Sequence, residues 1–251
     1  MKSYGKEYYY KLKSVANDRL SPDGISAFIL ASFIVSGILG LVVFYAVDYS
    51  RLVDNSIWPL YIKVNNVCLL IHFVCAVVYM KLPFAYKHQK LQAIILCVVS
   101  IKMSIDGYAV FLVACDDKGV ASSIVYGGLI LLIGGIILLV ISVLRGLKRV
   151  GNGELKQEGK GLYNFKESKV YASTPLIFSL ISMSGVISKV LSGSEDKGAN
   201  SLGVVFILFL SFVIQYTIAI AWPEILLITI CRFRFESFRD KMPERFKRVK
   251  E

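Results

Sequence analysis

Six stretches of about twenty apolar residues each constrain this chain more than any other feature. They run over Gly24–Val47, Trp58–Met80, Leu91–Val113, Ile124–Leu144, Ala172–Leu191 and Leu202–Cys231. At ~1.5 Å rise per residue, a helix of that length covers the ~30 Å hydrocarbon core of a bilayer. The chain is 55% hydrophobic over 251 residues, with a mean hydropathy of +0.61. A soluble domain of this size needs more polar surface than that composition supplies. The fold class this predicts is an all-α integral membrane protein, a bundle of six transmembrane helices. It has three parts: a cytoplasmic N-terminal segment (1–23), the membrane domain (24–231) and a basic tail (232–251). The first apolar run is too long for a signal-peptide core and has no small-residue cleavage site after it, so it is expected to stay as a span.

The basic residues assign an orientation. Of 29 Lys and Arg, 23 fall in the N-terminal segment, the 81–90 loop, the 145–169 loop and the tail. Three lie on the opposite side (Arg51, Lys118, Lys197) and three within spans (Lys63, Lys102, Lys189). The positive-inside rule then puts both termini in the cytoplasm. The net charge of +11 is accounted for by topology and attraction to anionic lipid, not by nucleic-acid binding. Two flanks carry apolar residues at helical spacing among basic ones: Tyr4, Tyr8, Leu12 and Val15, then Phe235, Phe238, Met242 and Phe246. Such segments lie in the headgroup plane as anchors or dock a cytoplasmic partner, and Pro243 is expected to break the second. Ser21-Pro22-Asp23 reads as a helix start, with a capping hydroxyl, a proline at the first position and an acid in the first turn. Trp58 and Trp222 are placed at the outer and inner interfaces.

The polar residues inside the spans are the candidate site. Lys102 and Asp106 stand four apart on span 3, so they can touch. A charge at mid-span costs roughly 2.5–3.5 kcal/mol unless it is paired or shielded. Ser100, Ser104 and Gly107 line the opposite face, which predicts a helix surrounded by protein. On span 2, Lys63 and Asn66 share one face while Asn65 and His72 share the other. Asp106 lies about 10 Å, and Lys63 roughly 8 Å, below the outer ends of their spans. Spans 2 and 3 are joined by a short loop and are expected to be neighbours. Together these predict a Lys63–Asp106–Lys102 cluster between them, which fixes helix register, lines an ion or proton path, or binds an anionic group.

Span 6 offers Gln215 at mid-depth, a kink at Pro223 that frees the Ala219 carbonyl, and Glu224 near the inner interface. This reads as a bent helix with Glu224 paired to a cytoplasmic Lys or Arg, or as a gate. Lys189 is expected to reach towards Glu195 and Asp196. Small residues at Ser32, Ser36 and Gly40 on span 1, and at Gly128 and Gly135 on span 4 (with Gly127 and Gly134 beside them), mark close helix packing.

No reaction chemistry is legible. The five cysteines contain no C-x-x-C, the two histidines have no zinc spacing, and there is no catalytic set and no cofactor motif. Residues 151–161, "GNGELKQEGKG", have the wrong glycine spacing for a P-loop and no hydroxyl after the lysine, so they read as a flexible polar linker. The function this points to is non-catalytic: a plasma-membrane protein that binds a partner in or at the bilayer, or that self-associates. An accessory subunit or an immunity-type protein against a membrane-acting toxin fits. The alternative is a small transporter or channel using spans 2, 3 and 6. Abundant Lys, Ile and Tyr point to a bacterial source.

Overall fold

The computed structural model describes residues 4–18, 20–49, 57–162 and 195–244. Every regular element among them is helical: α1 (Tyr10–Asn17), α2 (Pro22–Tyr49), α3 (Ile57–Met80), α4 (Leu82–Lys87), α5 (Gln89–Lys118), α6 (Ser122–Gly151) and α7 (Glu195–Arg234). Short 3-10 turns at Lys6–Tyr9 and Glu236–Phe238 flank them. Five helices (α2, α3, α5, α6 and α7) are long and apolar enough to cross a membrane, as a multi-pass α-helical membrane protein requires. The expected span over 172–191, and Lys189 with it, lie outside the described residues.

The helix boundaries follow local chemistry. α2 begins at Pro22 with the Gly24 amide donating to Ser21 Oγ at 3.3 Å. α5 stops at Lys118 because Gly119 adopts a left-handed φ of 57° without a Cβ penalty, and the Gly119 and Val120 amides both return to the Cys115 carbonyl. This extends α5 beyond its apolar run, so Cys115 is buried within the helix.

The long helices form a row in the order α3–α2–α5–α7–α6, with α5 at its centre. Small residues set that order. Ser32, Ser36 and Gly40 let α2 sit against both α3 and α5. A Cβ at Gly40 would lie 2.8 Å from Asn65 Nδ2 on α3. Gly107 of α5 abuts Ser211 of α7. On α6, Gly128 receives the Phe111 ring, Gly134 the Tyr216 hydroxyl, Gly135 the Gln215 amide and Gly146 the Pro223 ring. Around this row the outward faces carry Ile, Leu, Val and Phe, for example Ile38, Leu70, Ile137 and Phe206, as a lipid-facing belt demands.

These contacts also fix direction. α2 and α5 run parallel, since Gln92 meets Ser26 and Asp106 meets Ser36. α6 and α7 also run parallel, since Leu131 and Leu132 meet Tyr216 and Gln215 while Gly146 meets Pro223. α1, the 81–88 turn, the end of α6 and the chain after α7 all gather at one end of the bundle. There Tyr9, Leu12 and Ala16 bury against Val150, Leu155, Leu227, Cys231 and Phe238.

Two expectations about the flanks change. The chain after α7 is not one amphipathic helix: a single 3-10 turn is followed by extended residues, and Phe238 turns inward to pack under the bundle. Phe246 lies outside the described residues. The 151–161 segment is not a free linker either. Arg149 is buried and donates to the Gly161 and Leu162 carbonyls, while Glu154 faces its Nε at 3.6 Å. The Gly161 amide closes onto Glu154 O at 2.8 Å, and the Lys11 amide of α1 donates to Leu155 O at 3.0 Å. The Lys11 ammonium reaches the Gly159 carbonyl as well.

Candidate functional site

Part of the polar residues of the spans, from Gln92 to Asp106, collects along one seam on α2. At its deepest point Lys102 Nζ donates to both Asp106 oxygens, at 2.8 and 2.7 Å, and Ser36 Oγ donates to Asp106 Oδ2 at 2.5 Å. The Asp106 side chain is 9% exposed and that of Lys102 is 20% exposed. One carboxylate thus accepts three hydrogen bonds from two helices. The charges neutralise each other, and the serine anchors the pair to α2. One turn towards the basic end, His72 of α3 brings Nε2 to 3.0 Å from Ile29 O and 3.3 Å from Ser32 Oγ. A carbonyl can only accept, so Nε2 carries the proton. The Phe33 ring stands edge-on to the imidazole at 5.6 Å. Nearer that end, Gln92 Nε2 donates to Pro22 O and Ser26 Oγ, at 2.8 and 2.9 Å. Above Asp106 the seam closes: Val43, Val47, Trp58, Val110 and Val113 form an apolar plug. Trp58 Nε1 donates to Asp116 Oδ2 at 2.8 Å across it.

The expected three-member charge cluster does not form. Lys63 and Asn66 are exposed on the outer face of α3, and no ion pair joins Lys63 to Asp106. The reason is helix order. α2, not α3, lies against α5, because its small residues allow the closer approach. α3 turns Asn65 and His72 to α2, so Lys63 and Asn66 point away. Ser36, read from the sequence as a packing residue, takes the place expected for Lys63.

The span 6 residues behave differently from one another. Gln215 is buried and donates to Leu132 O at 3.0 Å, which ties α7 to α6. Pro223 lies inside a continuous helix with its ring on Gly146. Glu224 is buried in the following turn. Trp222 turns inward, Nε1 donating to Cys97 O at 3.4 Å.

A second polar centre, at the basic end, was not legible in the sequence. Arg232 reads there as part of a solvated basic tail, yet it is 0% exposed. Its Nη2 donates to Leu20 O at 2.5 Å and Ala16 O at 3.5 Å, and stands 4.0 Å from Asp240 Oδ2. Gln89 clamps the same tail residue through its backbone, accepting from the Asp240 amide at 2.9 Å and donating to its carbonyl at 2.7 Å. Asn17 Nδ2, facing its acceptors, reaches Asp240 Oδ1 at 3.1 Å. Burial pushes the Asp240 carboxyl above its usual value; Arg232 opposes the rise and Asp23 adds to it. Among the described residues no group of histidine, cysteine and acidic side chains could hold a metal ion. No protein-family model, curated protein or solved structure matches this chain.

Proposed function

We propose that this is a six-span plasma-membrane protein that acts without catalysis, by binding another membrane protein in the bilayer. An accessory subunit or an immunity-type protein acts in this way. The observation that carries the reading is how the membrane-embedded polar groups are divided. Lys102 and Asp106 are spent on each other and on Ser36 inside the bundle. Lys63 and Asn66 instead stand outward in an apolar belt, where an unsatisfied polar group is costly. The parallel packing of α6 and α7 supports the sixth span, since the chain between them must return across the bundle. The basic end supports a cytoplasmic location for both termini and contact with anionic lipid there. The test is affinity purification in mild detergent from the native membranes. A stoichiometric complex that re-forms from its purified components is the expected result, and recovery of the chain alone counts against the reading.

A transporter or channel is the second reading. The seam from Gln92 and Ser26 through Ser32 and His72 to Asp106 favours it, because it is polar from the basic end to mid-membrane. Proton or ion flux in proteoliposomes that disappears in Asp106→Asn would select it over partner binding.

A further inference from the structure

We infer that the outward face of α3 around Lys63 and Asn66 docks a transmembrane helix of a different protein, one that carries a carboxylate at the depth of Lys63. This rests on the partner-binding reading and names the surface and the chemistry of the partner.

Lys63 sits six residues into α3, about 9 Å from its outer end, and Asn66 follows one turn deeper. Both are exposed, and the same face continues through Val67, Leu70 and Val74. The Lys63 ammonium can shorten its distance to the headgroups by extending upwards, but the Asn66 amide has no such reach. A neighbouring helix with an acid opposite Lys63 would satisfy the ammonium, and its carboxylate or a nearby polar group would accept from Asn66. Interhelical hydrogen bonds of this kind hold membrane helices together.

None of this chain's own apolar stretches offers a free acid at this depth. Across all six apolar stretches the only acidic residues are Asp106 and Glu224. Both are buried, and Asp106 already accepts three hydrogen bonds. The polar residues of 172–191 are hydroxyls and Lys189. A second copy of the chain therefore offers no carboxylate at this depth, which points to a heterologous partner.

The test uses the full chain in lipid vesicles with labelled, leucine-rich transmembrane peptides, read by energy transfer. One peptide carries a single Asp about 9 Å from its outer end; the control carries Leu there. The expected result is association of the Asp peptide at least fivefold tighter than the Leu peptide. The preference should be lost in Lys63→Leu and kept in Lys63→Arg, with the thermal midpoint of both variants unchanged. A smaller preference in the native chain overturns the inference and leaves Lys63 to a lipid headgroup. A preference that survives Lys63→Leu overturns it as well. If a native complex is purified while the peptide preference fails, the surface is wrong and partner binding stands. A peptide preference with no native complex supports the surface and overturns partner binding as the native role.

Discussion

At the residue scale, one carboxylate organises the membrane interior. Asp106 accepts from Lys102 and Ser36, and removing it would leave an ammonium in a low-dielectric site without a counter-charge. Breaking a buried pair costs about 3–5 kcal/mol, and the 20% exposure of Lys102 puts Asp106→Asn at the low end of that range. The double variant Lys102→Met with Asp106→Leu is expected to recover most of the loss. A double-mutant cycle on thermal stability in detergent checks this, and additive losses would show that the pair does not act as a unit. At the basic end, Asp240 gives a pH prediction. Its folded carboxyl titrates above its unperturbed 3.8, so the folded state binds more protons than the unfolded one between those two values. Its contribution is therefore full below 3.8 and is lost as pH rises through the raised value. Amide protection of residues 235–244, corrected for intrinsic exchange, should fall across that window and stay flat in Asp240→Asn. The carboxylate–lysine contact was legible from i, i+4 spacing alone. Arg232 was not, because nothing in a run of arginines marks the one that turns inward.

At the element scale, glycine and serine decide which helices are neighbours. A Cβ on Gly128 would lie 2.1 Å from Phe111 Cε1, and one on Gly135 would lie 2.2 Å from Gln215 Cδ. Neither contact can be accommodated without moving a buried side chain. Gly128→Ala and Gly135→Ala should each destabilise the fold by about 1–3 kcal/mol, seen as a lower unfolding midpoint. Gly37→Ala is the control: nothing lies within 4 Å of its Cβ, so stability should be unchanged or slightly raised. The sequence shows these small-residue stripes as packing faces but not their partners. Ser32, Ser36 and Gly40 look alike in one dimension. In the bundle they meet His72, Asp106 and Asn65 on two different helices. The Lys63 expectation failed at this step, because it took chain neighbours for spatial neighbours.

At the scale of the whole molecule, the parallel pair α6 and α7 has a consequence for topology. Cysteines placed at Lys156 and Lys241 should be labelled from one side of the membrane, and one at Lys118 from the other. Labelling of 156 and 241 from opposite sides would refute a sixth crossing. Helix lengths, the apolar belt and the gathering of basic residues at one end follow from the sequence, because bilayer thickness and charge placement act on local composition. Tertiary structure alone decided the row α3–α2–α5–α7–α6. It also decided the inward turn of Arg232 and the ordered fold of 151–161, since these depend on which surfaces approach most closely. The same lateral order buries Asp106 and leaves Lys63 on the outer surface, because α5 lies between α2 and α7 while α3 ends the row against α2.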